Sequence, residues 1–435
     1  MPVTAISVTA FLAVMLFPEF GHAAASEPAA EFGPILLGLA ILVLGAKLGG
    51  ILLAQWRQPA VLGELLFGIA LANVYPLFAG PAGIEFVRSN TSLRFLAEIG
   101  VLLLLFDVGL EVDLRAFARV GPSAVLVAAI GVIVPFFLGW GTALWLLPDT
   151  PTLVHVFIGA TLTATSVGIT MRVLKDLGVT TTPEAQTILG AAILDDVLGL
   201  IVLAVVLGSI HSATEGGGAV SIFTVGIIVF KAAAFFAATF FIGHVFSNRI
   251  VRLAAKTGQH GMLVVIGIAL CFALAYVAEL IGLANIIGVF AAGVLLDPYG
   301  AGIRTRADEA SLRELLVPLS ELLVPLFFVL MGLQVDLASL IEPSALVLGI
   351  TLIVSAIIGK LVCGLGVIGS GIRRIVVGIG MVPRGEVGLI FAGIGTRLML
   401  EGEPLLNQNV YSSVVLMCLI TTIIAPLGLR RVFKQ

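Results

Sequence analysis

Charge is what this sequence has least of. Asp, Glu, Lys and Arg make up 11% of its 435 residues, against a hydrophobic share of 59%, whereas a water-soluble domain carries roughly 25% charged residues. That deficit excludes an ordinary soluble globule and makes lipid the solvent for most of the chain. The 23 basic and 26 acidic residues form no basic tail or stripe, which excludes nucleic acid as a partner. Cysteine is nearly absent. Cys271, Cys363 and Cys418 each stand alone in an apolar window, so neither a disulfide framework nor a thiolate metal centre is built here, and the three read as packing residues.

What is present is a succession of apolar windows. A helix needs about 20 mostly apolar residues to cross the hydrocarbon layer. Residues 1–25 end in Gly21-His22-Ala23-Ala24-Ala25 after an apolar stretch, and are expected to be a cleaved signal peptide, with an uncleaved extra span as the competing reading. Beyond Pro34, windows fall near 35–54, 59–79, 91–112, 119–147, 152–175, 186–209, 221–246, 261–281, 283–298, 313–335, 343–369, 374–398 and 409–430. About 13 transmembrane helices are therefore expected, with Gly, Pro and charges in the gaps. If the N-terminus lies outside, sixteen basic residues fall on the cytoplasmic side, Arg88, Arg94 and Arg397 fall outside, and Lys47, Lys231, Lys360 and Arg384 lie within spans. That bias is the positive-inside pattern of an inner-membrane, multi-pass protein with a cytoplasmic C-terminus.

Three segments recur in order. Gly63–Gly68 echoes Gly288–Gly293, Gly109–Leu114 echoes Gly332–Leu337, and Val167-Gly168 echoes Val387-Gly388. The second window maps onto the ninth, and an odd shift of seven windows reverses orientation. The fold class expected is thus an all-α polytopic membrane protein with two inverted-topology repeats of five helices, repeat one over about 59–209 and repeat two over about 283–430. The segment at about 221–281 links them. Such repeats place substrate near the midplane, at interrupted helices. Thr163, Thr165 and Ser166 supply hydroxyls in the fifth window, and Pro383, Arg384, Gly385 and Glu386 interrupt the twelfth, so local unwinding is expected near 383–385.

Ionisable groups deep in a bilayer need a partner or a role. Asp195 and Asp196 stand together in an otherwise apolar window. Consecutive helical residues point about 100° apart, so the two acids cannot face one neighbour. Lys360, beside Gly359, is the natural partner of one of them, and Arg384 and Glu386 balance each other. One lysine then faces two acids, and the surplus charge suits a monovalent cation or a proton. Asp107, Glu111, Glu64 and Lys47 lie near inner window ends, where snorkelling or a vestibule role is expected. Lys231 has no evident partner.

Taken together, ILDDVLGL around Asp195 and Asp196, IIGKLVCG around Lys360, GLEVDL at 109–114 and PRGEVGLI at 383–390 resemble the bacterial monovalent cation:proton antiporter superfamily, in its paired-aspartate, thirteen-helix branch. The resemblance covers about 35–430. It implies a homodimer in the bilayer, a six-helix core that moves like an elevator, and two broken helices crossing at Thr163 and Thr165. It further implies that Asp196 binds Na+ directly, while Asp195 pairs with Lys360 when no ion is bound. No cofactor is expected beyond the transported Na+ and H+, and no nucleotide-binding regulatory domain. The function expected is electrogenic exchange of Na+ (or Li+) for H+ by alternating access, not an enzyme. Alternatives are K+/H+ exchange, a channel, or an organic-solute carrier. Adjacent aspartates cannot share a proton as an aspartyl protease requires.

Overall fold

A computed structural model describes residues 32–56, 58–80, 82–110, 121–214, 223, 225–239, 241, 262–296, 312–369, 371–400 and 402–433. The expected signal peptide and Glu111 lie outside the described residues. The helices are α1 (Phe32–Gln55), α2 (Ala60–Ala79), α3 (Ala82–Ser89), α4 (Thr91–Leu110), α5 (Pro122–Leu146), α6 (Thr152–Thr161), α7 (Val167–Asp176) and α8 (Pro183–Thr214). After them come α9 (Val225–Thr239), α10 (Met262–Leu280), α11 (Asn285–Leu296), α12 (Leu312–Leu333) and α13 (Leu337–Ile341). The last are α14 (Pro343–Cys363), α15 (Arg374–Gly380), α16 (Glu386–Arg397) and α17 (Gln408–Phe433). Apart from a two-residue antiparallel pair, Met399–Leu400 with Glu403–Pro404, the described chain has no sheet.

The helices start where the sequence lets them. Pro122, Pro183 and Pro343 occupy the first helical positions of α5, α8 and α14, where a missing N–H costs nothing. Among the described residues, eight helices are long and apolar enough to cross a membrane, and α6, α9 and α11 are shorter apolar helices. Every apolar window of the sequence holds helix. The windows at 152–175 and 374–398 each hold two half-helices, α6/α7 and α15/α16.

By contact the chain divides into two compact units. The first comprises Met1–Leu103, Pro318–Leu346 and Gln408–Ser412; the second comprises Leu104–Val317, Val347–Asn407 and Ser413–Gln435. In the first unit, α1 and α2 meet backbone to backbone: a Cβ on Gly63 would lie 2.0 Å from the Gly49 carbonyl oxygen. Further along α2, a Cβ on Gly68 would lie 2.2 Å from the Val329 oxygen and 3.0 Å from the Gly332 Cα of α12. Only glycine permits either approach, and small residues bring membrane helices together in this way. The α12 C-terminus leaves bare carbonyls that no lipid can satisfy. Four side chains from other helices take them: Tyr411 donates to Met331 O, Arg88 to Leu333 O, Gln408 to Gln334 O and Asn73 to Val335 O.

The second unit contains matching contacts. A Cβ on Gly288 of α11 would lie 2.1 Å from the Leu274 oxygen of α10, and one on Gly109 of α4 would lie 2.3 Å from Phe290 O and 3.0 Å from the Gly293 Cα of α11. Lys231 of α9 finds a partner the sequence does not reveal, donating to the Ile281 carbonyl at the end of α10 (3.1 Å). A cation at a helix C-terminus is favourably placed. Asp107 accepts from Arg313 through both oxygens (2.9 and 3.3 Å), so it clamps α4 to α12.

Candidate ion site in the second unit

The site grows from two interruptions. In the first, Leu162–Ser166 leaves helical geometry between α6 and α7; in the second, Met381–Gly385 does so between α15 and α16. The causes are local. Thr163, Thr165 and Ser166 carry hydroxyls that compete for backbone groups, and Pro383 can neither donate a hydrogen bond nor leave its predecessor in helical torsions. The expected unwinding at 383–385 is present and begins earlier, at Met381.

Each interruption satisfies the other. Thr170 Oγ1 donates to Gly380 O (2.6 Å) and the Ser166 N–H to Pro383 O (2.9 Å). Thr165 Oγ1 contributes a longer bond to Met381 O (3.4 Å), and Arg384 Nη1 donates to Ala164 O. From α17, Thr422 Oγ1 holds the Arg384 carbonyl (3.0 Å). Gly385 has to be small, because a Cβ there would lie 2.7 Å from Ser166 Oγ. Thr170 and Thr422 were missed in the sequence. Their role follows from which carbonyls unwinding exposes, and no local motif records that.

Past this crossing runs α8, which carries the aspartates. Gly199, four residues after Asp195 and three after Asp196, lies between their two directions on the helix surface, and a Cβ on it would lie 3.8 Å from Thr163 Oγ1. Thr163 spends its hydrogen on Ala160 O (2.8 Å), which leaves its lone pairs as acceptors. Asp195 accepts from Lys360 Nζ at 2.8 Å, both side chains fully buried, and its Oδ2 has no hydrogen-bond partner. Gly131 of α5 flanks the pair: a Cβ there would lie 3.4 Å from Nζ and 3.6 Å from Asp195 Oδ1. Around it packs an apolar sheath of Val127, Ala128, Ala191, Ala192, Cys363 and Met381. Asp196 is also buried, with 8% of its surface exposed.

One expected pairing is absent. Arg384 and Glu386 form no ion pair; Arg384 turns to Ala164 of the first interruption, leaving Nε and Nη2 without hydrogen-bond partners. Glu386 instead accepts from Ser166 Oγ at 2.6 Å. The reason is positional. Glu386 opens α16, where the helix dipole favours an anion, while Arg384 still belongs to the unwound strand. Asp107 is tied to Arg313, and the expected role of Glu111 falls outside the described residues.

A polytopic helical chain with two interrupted helices bonded to each other beside a buried carboxylate pair has the build of a membrane carrier. Residues 37–435 match the family described as "Sodium/hydrogen exchanger, transmembrane", and the chain belongs to it. Over 450 aligned residues it is 34% identical to the high-affinity Na(+)/H(+) antiporter NhaS3 of Synechocystis sp., covering 95% of this chain and 94% of that protein. It is 31% identical to a Na(+)/H(+) antiporter of Enterococcus hirae (91% and 97% covered) and 32% identical to the Na(+)/H(+)-K(+) antiporter GerN of Bacillus cereus (91% and 95%). Its fold matches that of the sodium proton antiporter MjNhaP1 of Methanocaldococcus jannaschii, with a TM-score of 0.64, 15% identity, and 91% and 96% of the two chains covered.

Proposed function

We propose that this chain exchanges Na+ for H+ across the inner membrane by alternating access, with Asp196 as the ion ligand and Asp195 as the coupled proton carrier. The observation that carries the reading is the placing of the two acids: Asp195 and Asp196 are both buried on α8 beside the interrupted helices, with Asp195 bonded to Lys360 at 2.8 Å. Ionisable groups buried in an apolar surrounding need a role, and binding a mobile cation or a proton supplies one. When Na+ is bound to Asp196, oxygen donors on Thr163 and Thr165 complete its surroundings, and Ser166 with Glu386 braces the crossing. On release, a proton takes the place of Na+. The Asp195–Lys360 pair opens and closes as the second proton is bound or lost. Two protons per Na+ make transport electrogenic.

The thirteen-span count, the outside N-terminus, the homodimer and the elevator motion are parts of the same reading. The inverted repeat is supported by reciprocal glycine contacts: Gly68 against Gly332 in one unit, and Gly293 against Gly109 in the other, pair equivalent positions. The Gly63 seam with α1 and the Gly288 seam with α10 are equivalent as well, which extends each repeat to six helices and leaves α9 alone as the linker. K+ is a second substrate to test, since a relative's name includes it. Reconstitution into liposomes with an internal pH dye tests the proposal. Na+-driven proton flux is expected, compared with Li+ and K+, and Asp196→Asn reduces it to the level of empty liposomes. Full activity of that variant refutes the assignment.

A further inference from the structure

One buried acid takes no part in the crossing. Glu64 lies on α2 in the first unit, near an expected window end where snorkelling to water is the ordinary fate, yet only 5% of its surface is exposed. Its Oε2 is buried with no hydrogen-bond partner, and its Oε1 lies against α1, where a Cβ on Gly50 would sit 3.6 Å away. The helices are close at this point, because Gly49 and Gly63, the residues just before Gly50 and Glu64, meet backbone to backbone. Among the described residues, the charged group whose field reaches Glu64 is Lys47 of α1. Lys47 is itself engaged 3.7 Å from Glu321 Oε2 of α12.

A bare carboxylate without hydrogen bonds in such a seam is far costlier than a neutral acid. A metal cation is a poor alternative, since it needs several oxygen ligands and the Lys47 ammonium repels it. We propose that Glu64 is a second proton-binding site, in the α1–α2 seam and outside the helix crossing, which holds its proton while Lys47 is engaged with Glu321 and releases it when Lys47 turns to it. In the release step the carboxyl O–H bond breaks, the proton passes to water, and the Lys47 ammonium exchanges Glu321 for Glu64. The Glu64–Lys47 pair loses one positive charge with the departing proton and becomes neutral, the exposed Glu321 carboxylate is left to water, and the inference is independent of the ion-site assignment.

Infrared difference spectroscopy on the full reconstituted chain, with carboxyl-13C glutamate, tests this across pH with and without Na+. A glutamic acid carbonyl band is expected that shifts with the label, is lost in Glu64→Gln, survives in Glu386→Gln, and ignores Na+ at constant pH. In Lys47→Gln it persists at the alkaline pH where the wild-type band has gone. Identical spectra for wild type and Glu64→Gln overturn the proposal, as does a band abolished by Na+ at constant pH, which identifies a metal cation site. Glu64→Met guards against a folding artefact: a neutral residue of similar length is expected to fold, and loss of folded protein in both variants shows that the negative charge is required and overturns the proposal.

Discussion

Removing Lys360 isolates the term on which the ion site depends. In Lys360→Gln the Asp195 carboxylate keeps its burial and loses the bond at 2.8 Å, with no solvent to replace it because both side chains are fully buried. Breaking one partner out of such a pair costs about 3–5 kcal/mol, whereas removing both charges together is close to neutral. The double variant Asp195→Asn/Lys360→Gln is therefore expected to be more stable than the single one, with a coupling of about 3 kcal/mol between the positions. The assay is the folded fraction after heating in lipid nanodiscs, read by monodisperse elution, for wild type, both single variants and the double. A Lys360→Gln protein as stable as wild type, or single effects that simply add in the double, refutes the reasoning.

Further expectations are direct. If the Asp195–Lys360 pair carries the second proton, Na+-driven proton flux through the wild type responds to an imposed potential worth about 2.3 kcal/mol per charge per 100 mV, and Lys360→Gln loses that response; a wild-type flux indifferent to potential refutes electrogenic exchange. Ser166→Ala removes the hydrogen bond to the half-buried Glu386 carboxylate and is expected to cost about 1 kcal/mol and to slow turnover, and unchanged flux and melting argue against the brace. Gly385→Ala pushes a Cβ to 2.7 Å from Ser166 Oγ and the Ile169 Cδ1, an overpacking cost of about 1–3 kcal/mol seen as reduced flux before loss of folded protein. Gly68→Ala sets a Cβ 2.2 Å from a carbonyl oxygen that cannot move aside; a drop in folded yield checks it, and parity with wild type contradicts the close crossing.

Much of this protein is written locally. Runs of apolar residues name the helices, because in lipid a backbone must bond to itself wherever it lies, and prolines mark where α5, α8 and α14 begin. Buried charge is so costly that Asp195, Asp196 and Lys360 announce themselves by residue type and depth alone, and charge balance makes Lys360 the partner of one aspartate; that the partner is Asp195 is what the family resemblance implied, and the fold has that bond. Direction across helices was decided only by the tertiary structure. Arg384 and Glu386 are two residues apart, and their composition suggests mutual neutralisation, yet unwinding turns each toward a different partner. Glu64 reads as a snorkelling acid and is instead sealed by glycines of a neighbouring helix, while Asp107 is claimed by Arg313, distant in sequence. Thr170 and Thr422 matter because specific carbonyls are bared by a break elsewhere in the chain. Periodicity and polarity act over one or two turns of helix, and the sequence states them. Which bare carbonyl meets which hydroxyl depends on how two interrupted helices cross, and only the folded chain sets that.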